Sequence, residues 1–547
     1  MLVPRSTLAL LTLPVTLALA SQVPLRYLRN EGKVINEELS SFIQSELQAN
    51  NFTGLSLGIV LPSGEVEFAA WGIRTEQGDP VNSETVMNLA SCSKAFLSAS
   101  LGILMQDFAD GENKTALPRN VEKFSWDTKM RDLLPDEWMT EDHWTTEKAS
   151  LKDLLSHVTG FPAHDGSYST YDSPQDIVAR MRHLRAAYEL RQLWEYTNQG
   201  PMLSRNIPGS SYRDFLEERI SLPLRMSSST LYPNRAFESR KFTQSWTPSR
   251  RRIPFWMPEH TADLLAGAGG VMSNVEDMVN WVKMLLNSGV DPQTNKTIIP
   301  RTTFDLATSA ISVAVHKGSA LTSIMGYGLG WIRLAYRGHE LVQHSGGAPG
   351  VATIVDLYPS DGFGVVLLAN TVGPLVTQKI ARAIADRMLG LPTEAPRVET
   401  EMGPHVQLEP RIPVNPIPPN ILAGFTGTYS NLGYGNFTLY ESIRRPESTL
   451  VPWTSTALGR GSGDHISGFL KYPDMPIVAT LSTLYVDGYG ADRTPFEDLL
   501  DEIYTAKFMV EDGAVIGLGF FIARQESWRA KKGGSVREIA DVWFDKL

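Results

Sequence analysis

Cysteine is almost missing: Cys92 stands alone in 547 residues, so no intramolecular disulfide can form. Clustered positive charge is missing too. The 50 basic residues are scattered among 60 acidic ones, for a net charge of −10 and a pI of about 5.6. Nucleic acid is therefore excluded as the partner, because phosphate binding needs grouped Lys and Arg. A compositional bias toward disorder or collagen is also lacking, since hydrophobic residues make up 42% and charged residues 20% of the chain.

Long apolar runs are absent apart from Thr7 to Leu19, which is too short to span a bilayer. It follows a single positive charge, Arg5, and ends at Ala18-Leu19-Ala20 before Ser21, the small-x-small pattern of a cleaved signal peptide. Residues 1–20 are thus expected to be a signal peptide, leaving a secreted chain with no membrane span. The alternatives are retention in the secretory-pathway lumen or an uncleaved N-terminal anchor. A mature chain of this length can bury enough apolar surface to fold without disulfides. Four Asn-x-Ser/Thr sequons, at Asn51, Asn113, Asn295 and Asn436, would be glycosylation sites in such a chain. Their number is about what chance supplies.

One boundary is plain. Eight prolines lie between Pro392 and Pro419 without hydrophobic periodicity, which reads as an extended linker over 392–419. It separates a large domain, 21–391, from a C-terminal β-rich domain, 420–547. The large domain opens with an amphipathic helix over 36–49. A hairpin follows, with strands at 56–60 and 65–71 around Pro62-Ser63-Gly64. Residues 95–105 are apolar nearly all round, the mark of a helix in the middle of a core. Strands are expected at 327–334, 340–343, 351–357 and 364–369, and a last helix at 377–389. Short connections favour antiparallel pairing. The expected fold is α+β: one antiparallel sheet joining the two ends of the domain, flanked by helices, with a helical lobe.

Chemistry enters at Ser91-Cys92-Ser93-Lys94, just before the buried helix. Ser91 and Lys94 would share one helix face. Backbone N–H groups at a helix start stabilise developing negative charge near Ser91. A lysine pressed against apolar surface is pushed toward its neutral form, a possible base. Taken alone, the pair reads equally as a capping serine and a snorkelling lysine. Two further motifs follow in order. Tyr196-Thr197-Asn198 lies 105 residues after Ser91, and His344-Ser345-Gly346, followed by Gly347, begins 148 residues later.

This ordered set resembles the class C β-lactamase-like and penicillin-binding-protein-like serine hydrolases, with family VIII carboxylesterases and D-aminopeptidases among them. Three more stretches carry the likeness, which spans about residues 36–390: Leu154 to Gly160, Ala268 to Ser273 and Tyr327 to Trp331. The C-terminal domain resembles, more loosely, the lipocalin-like module appended to some members. The resemblance implies a β-lactamase/transpeptidase-like fold and an acyl-enzyme on Ser91, with Lys94 and Tyr196 sharing proton transfer. It also implies substrate contacts from Asn198, His344, Ser345 and Gly347, with Ser91 and Gly347 N–H groups as the oxyanion hole. Neither a cofactor nor a metal is implied.

Which of Lys94 and Tyr196 is the base stays open at this point. A histidine where penicillin-hydrolysing relatives have lysine offers no permanent charge to a substrate carboxylate. Small esters, amides or peptides are therefore the expected substrates. An acyltransferase sharing the same residues, or an inactive binding protein on the same fold, are the alternatives. Three decoys are set aside. Ser56, in Gly54-Leu55-Ser56-Leu57-Gly58, runs into a strand instead of a strand-to-helix elbow. His339-Glu340 and His344 miss the zinc spacing by one residue, and Tyr232-Pro233-Asn234 carries a proline. His157 reads as a structural loop residue and Cys92 as buried packing.

Overall fold

The computed structural model describes residues 33–112, 116–119, 121–168, 172–200, 211–392, 424–441, 452–456, 464–469, 477–485 and 487–547. The expected signal segment, residues 1–20, Asn113 and residues 393–419 of the expected linker lie outside the described residues.

An eight-stranded antiparallel sheet organises the large domain. Its strands are β1 (Gly54–Val60), β2 (Val66–Gly72), β3 (Ser312–Val315), β4 (Met325–Tyr327), β5 (Ile332–Tyr336), β6 (His339–Ala348), β7 (Val351–Tyr358) and β8 (Phe363–Ala369). The order is β2-β1-β8-β7-β6-β5-β4-β3. The N-terminal hairpin joins the C-terminal strands through β1 and β8, paired from Leu55 with Ala369 to Val60 with Gly364. β1, β7 and β8 are buried along their whole length, which a sheet covered on both faces requires.

On one face, Leu55, Leu57 and Ile59 pack with Leu39, Ile43 and Leu47 of α1 (Glu37–Ala49) and Ile380 and Ile384 of α5 (Pro374–Met388). Asn36 caps α1 by accepting from Leu39 N–H at 3.0 Å. On the other face lie α2 (Ser93–Asp110), α3 (Ala262–Gly269) and α4 (Val275–Leu286). α4 approaches so closely that a Cβ on Gly58 would sit 2.9 Å from Val279. α2 is apolar all round because it is buried all round, and its Phe96 stacks on Trp281 of α4 at 4.0 Å. Ser56 is buried in β1 facing no partner for its hydroxyl, a sheet residue only.

The sequence pattern suggested one strand over 327–334, but the structure divides it between β4 and β5. Gly330 makes the turn at φ +82°, and a Cβ there would lie 2.7 Å from the carbonyl carbon of Lys94. That turn presses on the backbone of the lysine of the first motif. A continuous strand could not do so.

The C-terminal domain is a closed antiparallel barrel of eight strands in sequence order, from β9 (Gly427–Asn431) to β16 (Val542–Lys546). The barrel closes where β9 pairs with β16, Tyr429 standing opposite Lys546. Tyr429, Phe437 and Phe544 are buried in it, with Phe437 edge-on to Phe544 at 4.8 Å. The barrel docks on segment 161–195 of the large domain. Tyr434 Oη lies 2.7 Å from His164 Nδ1, Tyr188 donates to the Gln525 carbonyl at 2.6 Å, and Trp528 N–H donates to the Ala187 carbonyl at 3.0 Å. Three sequons are exposed: Asn51 and Asn295 in turns, Asn436 on the barrel.

Candidate active site

Ser91 lies in a short 3₁₀ turn, Ala90–Cys92, that leads directly into α2. Ala90 has φ +44°, a conformation that costs on the order of 1 kcal/mol for a residue with a side chain. The surroundings hold it there. Asn88 accepts from Ala90 N–H at 2.9 Å and donates to the Gly269 carbonyl at 3.0 Å. Behind the turn, Gly346 of β6 leaves no room for a side chain, since a Cβ would come within 2.4 Å of the Leu89 carbonyl oxygen. Cys92 is buried between the His344 carbonyl and Thr353. Burial pushes its thiol up to about 12, which fits packing and not chemistry.

Lys94 is 1% exposed. Its Nζ lies 3.1 Å from Ser91 Oγ, 2.9 Å from Asn198 Oδ1 and 2.8 Å from the Ala268 carbonyl. Burial lowers its pKa from 10.5 to about 7. A neutral amine carries two hydrogens and one lone pair. Asn198 Oδ1 and the Ala268 carbonyl can only accept, so they take both hydrogens and leave the lone pair facing Ser91. The amide orientation is fixed by the far side of Asn198, whose Nδ2 donates to both oxygens of Asp165 at 3.2 and 3.3 Å.

Tyr196 lies over the same centre, with Lys94 Nζ 4.9 Å from its ring centroid. Its hydroxyl oxygen is buried and makes no well-formed hydrogen bond. Burial raises its pKa above the usual phenol range, and the nearby Ser91 hydroxyl only partly offsets this. The resemblance left the base open between Lys94 and Tyr196. Here the lysine is shifted toward its neutral form and the phenol away from its anion. Tyr232 is elsewhere, bonded to Asp214 and stacked between Arg213 and Arg235.

The third motif differs from expectation at its first residue. His344 was expected to face the substrate, but its ring is turned inward and 1% exposed. One directional chain accounts for it. Thr197 N–H donates to His157 Nδ1 at 3.3 Å, so His157 Nε2 carries the proton and donates to Tyr327 Oη at 3.2 Å. Tyr327 then donates to His344 Nε2 at 3.0 Å, and His344 Nδ1–H donates to the Ser345 carbonyl at 2.6 Å. A backbone donor at one end and a backbone acceptor at the other fix both tautomers. Burial keeps both rings neutral, lowering His344 to about 3 and His157 well below the usual range. His157, read from sequence as a loop residue, thus ties the Tyr-x-Asn segment to β6, and its ring stacks 4.4 Å from that of Tyr196.

Beyond Gln343, β6 has no pairing with β5, so this edge faces the Ser91 turn. Ser345 is half-buried and Gly347 exposed, with open space where its Cβ would be. Ser91, Tyr196, Asn198 and Asp165 are also partly exposed, while Lys94, His157 and His344 are buried behind them. Sequence reasoning missed Asp165 and Tyr327. Tyr327 stood in a stretch already singled out, whereas nothing in the pattern around His164-Asp165 marks a site.

The family model described as beta-lactamase matches residues 39–388. The chain belongs to the beta-lactamase family. Members of this family are serine hydrolases. An unguisins hydrolase of Aspergillus campestris is 27% identical over 353 residues, covering 62% of this chain and 63% of that protein. A penicillin-binding protein of Bacillus subtilis is 24% identical, covering 58% and 68%. The chain thus spans less than two thirds of the length of the first of these relatives. Among solved structures, the octameric penicillin-binding protein homologue from Pyrococcus abyssi aligns with a TM-score of 0.52 at 20% identity, covering 89% of this chain and 98% of that one. The D-amino acid amidase from Ochrobactrum anthropi aligns at 0.50 with 22% identity, covering 64% and 98%. These likenesses establish the β-lactamase/transpeptidase-like fold of the large domain.

Proposed function

We propose that this beta-lactamase-family chain is a secreted serine hydrolase that cleaves ester, amide or peptide bonds of small substrates through an acyl-enzyme on Ser91. The observation that carries the reading is the buried Lys94 Nζ, 3.1 Å from Ser91 Oγ and held between two acceptors, Asn198 Oδ1 and the Ala268 carbonyl. Ser91 Oγ attacks the carbonyl carbon as its proton passes to Lys94 Nζ. The oxyanion is received by the N–H groups of Ser91 and Gly347. As the tetrahedral intermediate collapses, the carbon–leaving-group bond breaks. The leaving group takes a proton from the Tyr196 hydroxyl, which is restored from the ammonium of Lys94. Water then attacks the acyl carbonyl, giving its proton to Lys94; the bond from the carbonyl carbon to Ser91 Oγ breaks, Oγ takes that proton back from Lys94, and the acid product leaves. Asn198 holds Lys94 in orientation throughout. With His344 turned in and neutral, no fixed cation on β6 awaits a substrate carboxylate, which disfavours penicillins as substrates.

The test compares wild type with Ser91→Ala on p-nitrophenyl esters and amino-acid p-nitroanilides. A burst of nitrophenol from wild type and none from Ser91→Ala is expected. Equal turnover by both, or none by wild type, overturns the reading. Faster turnover with added alcohol or amine would redirect it from hydrolysis to acyl transfer.

A further inference from the structure

Tyr196 must hand a proton to the leaving group, yet its own hydroxyl makes no well-formed hydrogen bond. Its aim has to come from whatever holds its ring and its stretch of backbone. The ring lies 4.4 Å from that of His157 and 6.1 Å from that of Trp194. Just before it, Glu195 N–H donates to the His157 carbonyl at 2.9 Å. The side chains of Trp194 and Glu195 both meet one residue of the barrel, Arg524. Its guanidinium carbon stands 5.1 Å over the Trp194 ring, and its Nε lies 3.8 Å from Glu195 Oε1.

Glu195 is 2% exposed, and a buried carboxyl group needs a cation or a donor facing it. Arg524 supplies both, its guanidinium and its backbone N–H each opposing the effect of burial on that group. Asp541, which Glu195 also feels, has the same sign, so the attraction rests on Arg524. The segment that carries this arginine leaves β15 (Ala514–Phe521) and is pinned on both sides of it. Ile522 and Ala523 N–H donate to Asp541 Oδ2 at 2.9 and 3.0 Å. Gln525 N–H donates to Tyr188 Oη at 3.0 Å, and that hydroxyl donates to the Gln525 carbonyl at 2.6 Å. Arg524 is thus mounted rigidly against the two residues that precede Tyr196.

We propose that Arg524 of the barrel is a positioning residue for Tyr196, clamping Trp194 and Glu195 so that the phenol that follows them stays aimed at the leaving group. The inference rests on the hydrolase reading and gives the C-terminal domain a part in it. Arg524 itself touches no reacting atom. Tyr196 acts when the leaving group departs, so a loosened Tyr196 slows the substrates whose leaving group needs a proton. A nitrophenolate departs as a stable anion and needs none, whereas an alkoxide must be protonated.

The test measures kcat/KM of the full-length protein for two esters of one acid, p-nitrophenyl acetate and benzyl acetate. In Arg524→Ala the value for benzyl acetate should fall on the order of tenfold to a hundredfold, and that for p-nitrophenyl acetate by about twofold at most. Loss of folded protein would lower both alike and leave their ratio unchanged. Tyr196→Phe should show the same bias, and adding Arg524→Ala to it should shift the ratio no further, since the two residues act as one unit. Equal losses on both esters, or none, mean that Arg524 only fastens the barrel, and overturn the proposal. So does a ratio that shifts again in the double variant, or a Tyr196→Phe without the bias. A wild type that opens nitrophenyl esters alone has no use for the Tyr196 proton and overturns it too. Labelling of Ser91 by a fluorophosphonate separates the two levels. A labelled enzyme without the bias sinks this inference alone, and an unlabelled, inactive one sinks the hydrolase reading beneath it.

Discussion

If neutral Lys94 is the base, the rate of acylation must follow its ionisation. Burial lowers Lys94 from 10.5 to about 7, a penalty on the ammonium form on the order of 5 kcal/mol. Below that pH the lysine is protonated, its lone pair is gone, and Ser91 loses its proton acceptor. Acylation kcat/KM should therefore rise about tenfold per pH unit up to roughly pH 7 and then level off. The assay is stopped-flow acylation by a p-nitrophenyl ester between pH 5 and 9. Few other groups near the centre confuse the assignment. His344 and His157 titrate well below this window and Tyr196 above it. Glu195 does not, since burial raises it to about 7, so Glu195→Gln is the control and should keep the limb. Asp165 favours the charged lysine, so Asp165→Asn should move the limb to lower pH. A limb above pH 9, a flat profile, or a limb that disappears in Glu195→Gln would refute the assignment of Lys94 as base.

Two other outcomes follow from the packing. Tyr327→Phe leaves the buried His157 Nε2–H and His344 Nε2 without partners, at about 1–3 kcal/mol for each orphaned group. Its thermal midpoint should fall, and catalysis should fall with it as the Tyr-x-Asn segment loosens from β6. Gly346→Ala would drive a Cβ to 2.4 Å from the Leu89 carbonyl oxygen and 2.3 Å from Thr353 Oγ1. A cost of roughly 1–3 kcal/mol and a loss of kcat, from displacement of the Ser91 turn, should appear in thermal unfolding and steady-state kinetics.

Much of the fold was legible because its signals are periodic or ordered. The apolar girth of α2 and the apolar runs of β1, β7 and β8 each reflect burial on every side, and burial is written directly in residue type. Ser91, Lys94, Tyr196 and Asn198 could be found because three short motifs occur in a fixed order. What escaped depends on side-chain direction. His344 sits on a strand whose period fixes its face, yet the length of Tyr327 and the donor at Thr197 decide that its ring closes a buried chain of hydrogen bonds. Asp165 is placed by contacts with Asn198, 33 residues on, and its loop by Tyr434, 270 residues beyond His164. No local pattern records such pairings. The division of the expected 327–334 strand has a similar origin, since Gly330 turns where α2 demands a close approach.

Ser91 is the group expected to become acylated. Full-length protein is treated with a fluorophosphonate, digested, and the modified peptide mapped by mass spectrometry. A single adduct on Ser91, formed faster at pH 8 than at pH 5, is the outcome expected. An adduct on another residue, or labelling that persists undiminished in Ser91→Ala, would contradict it.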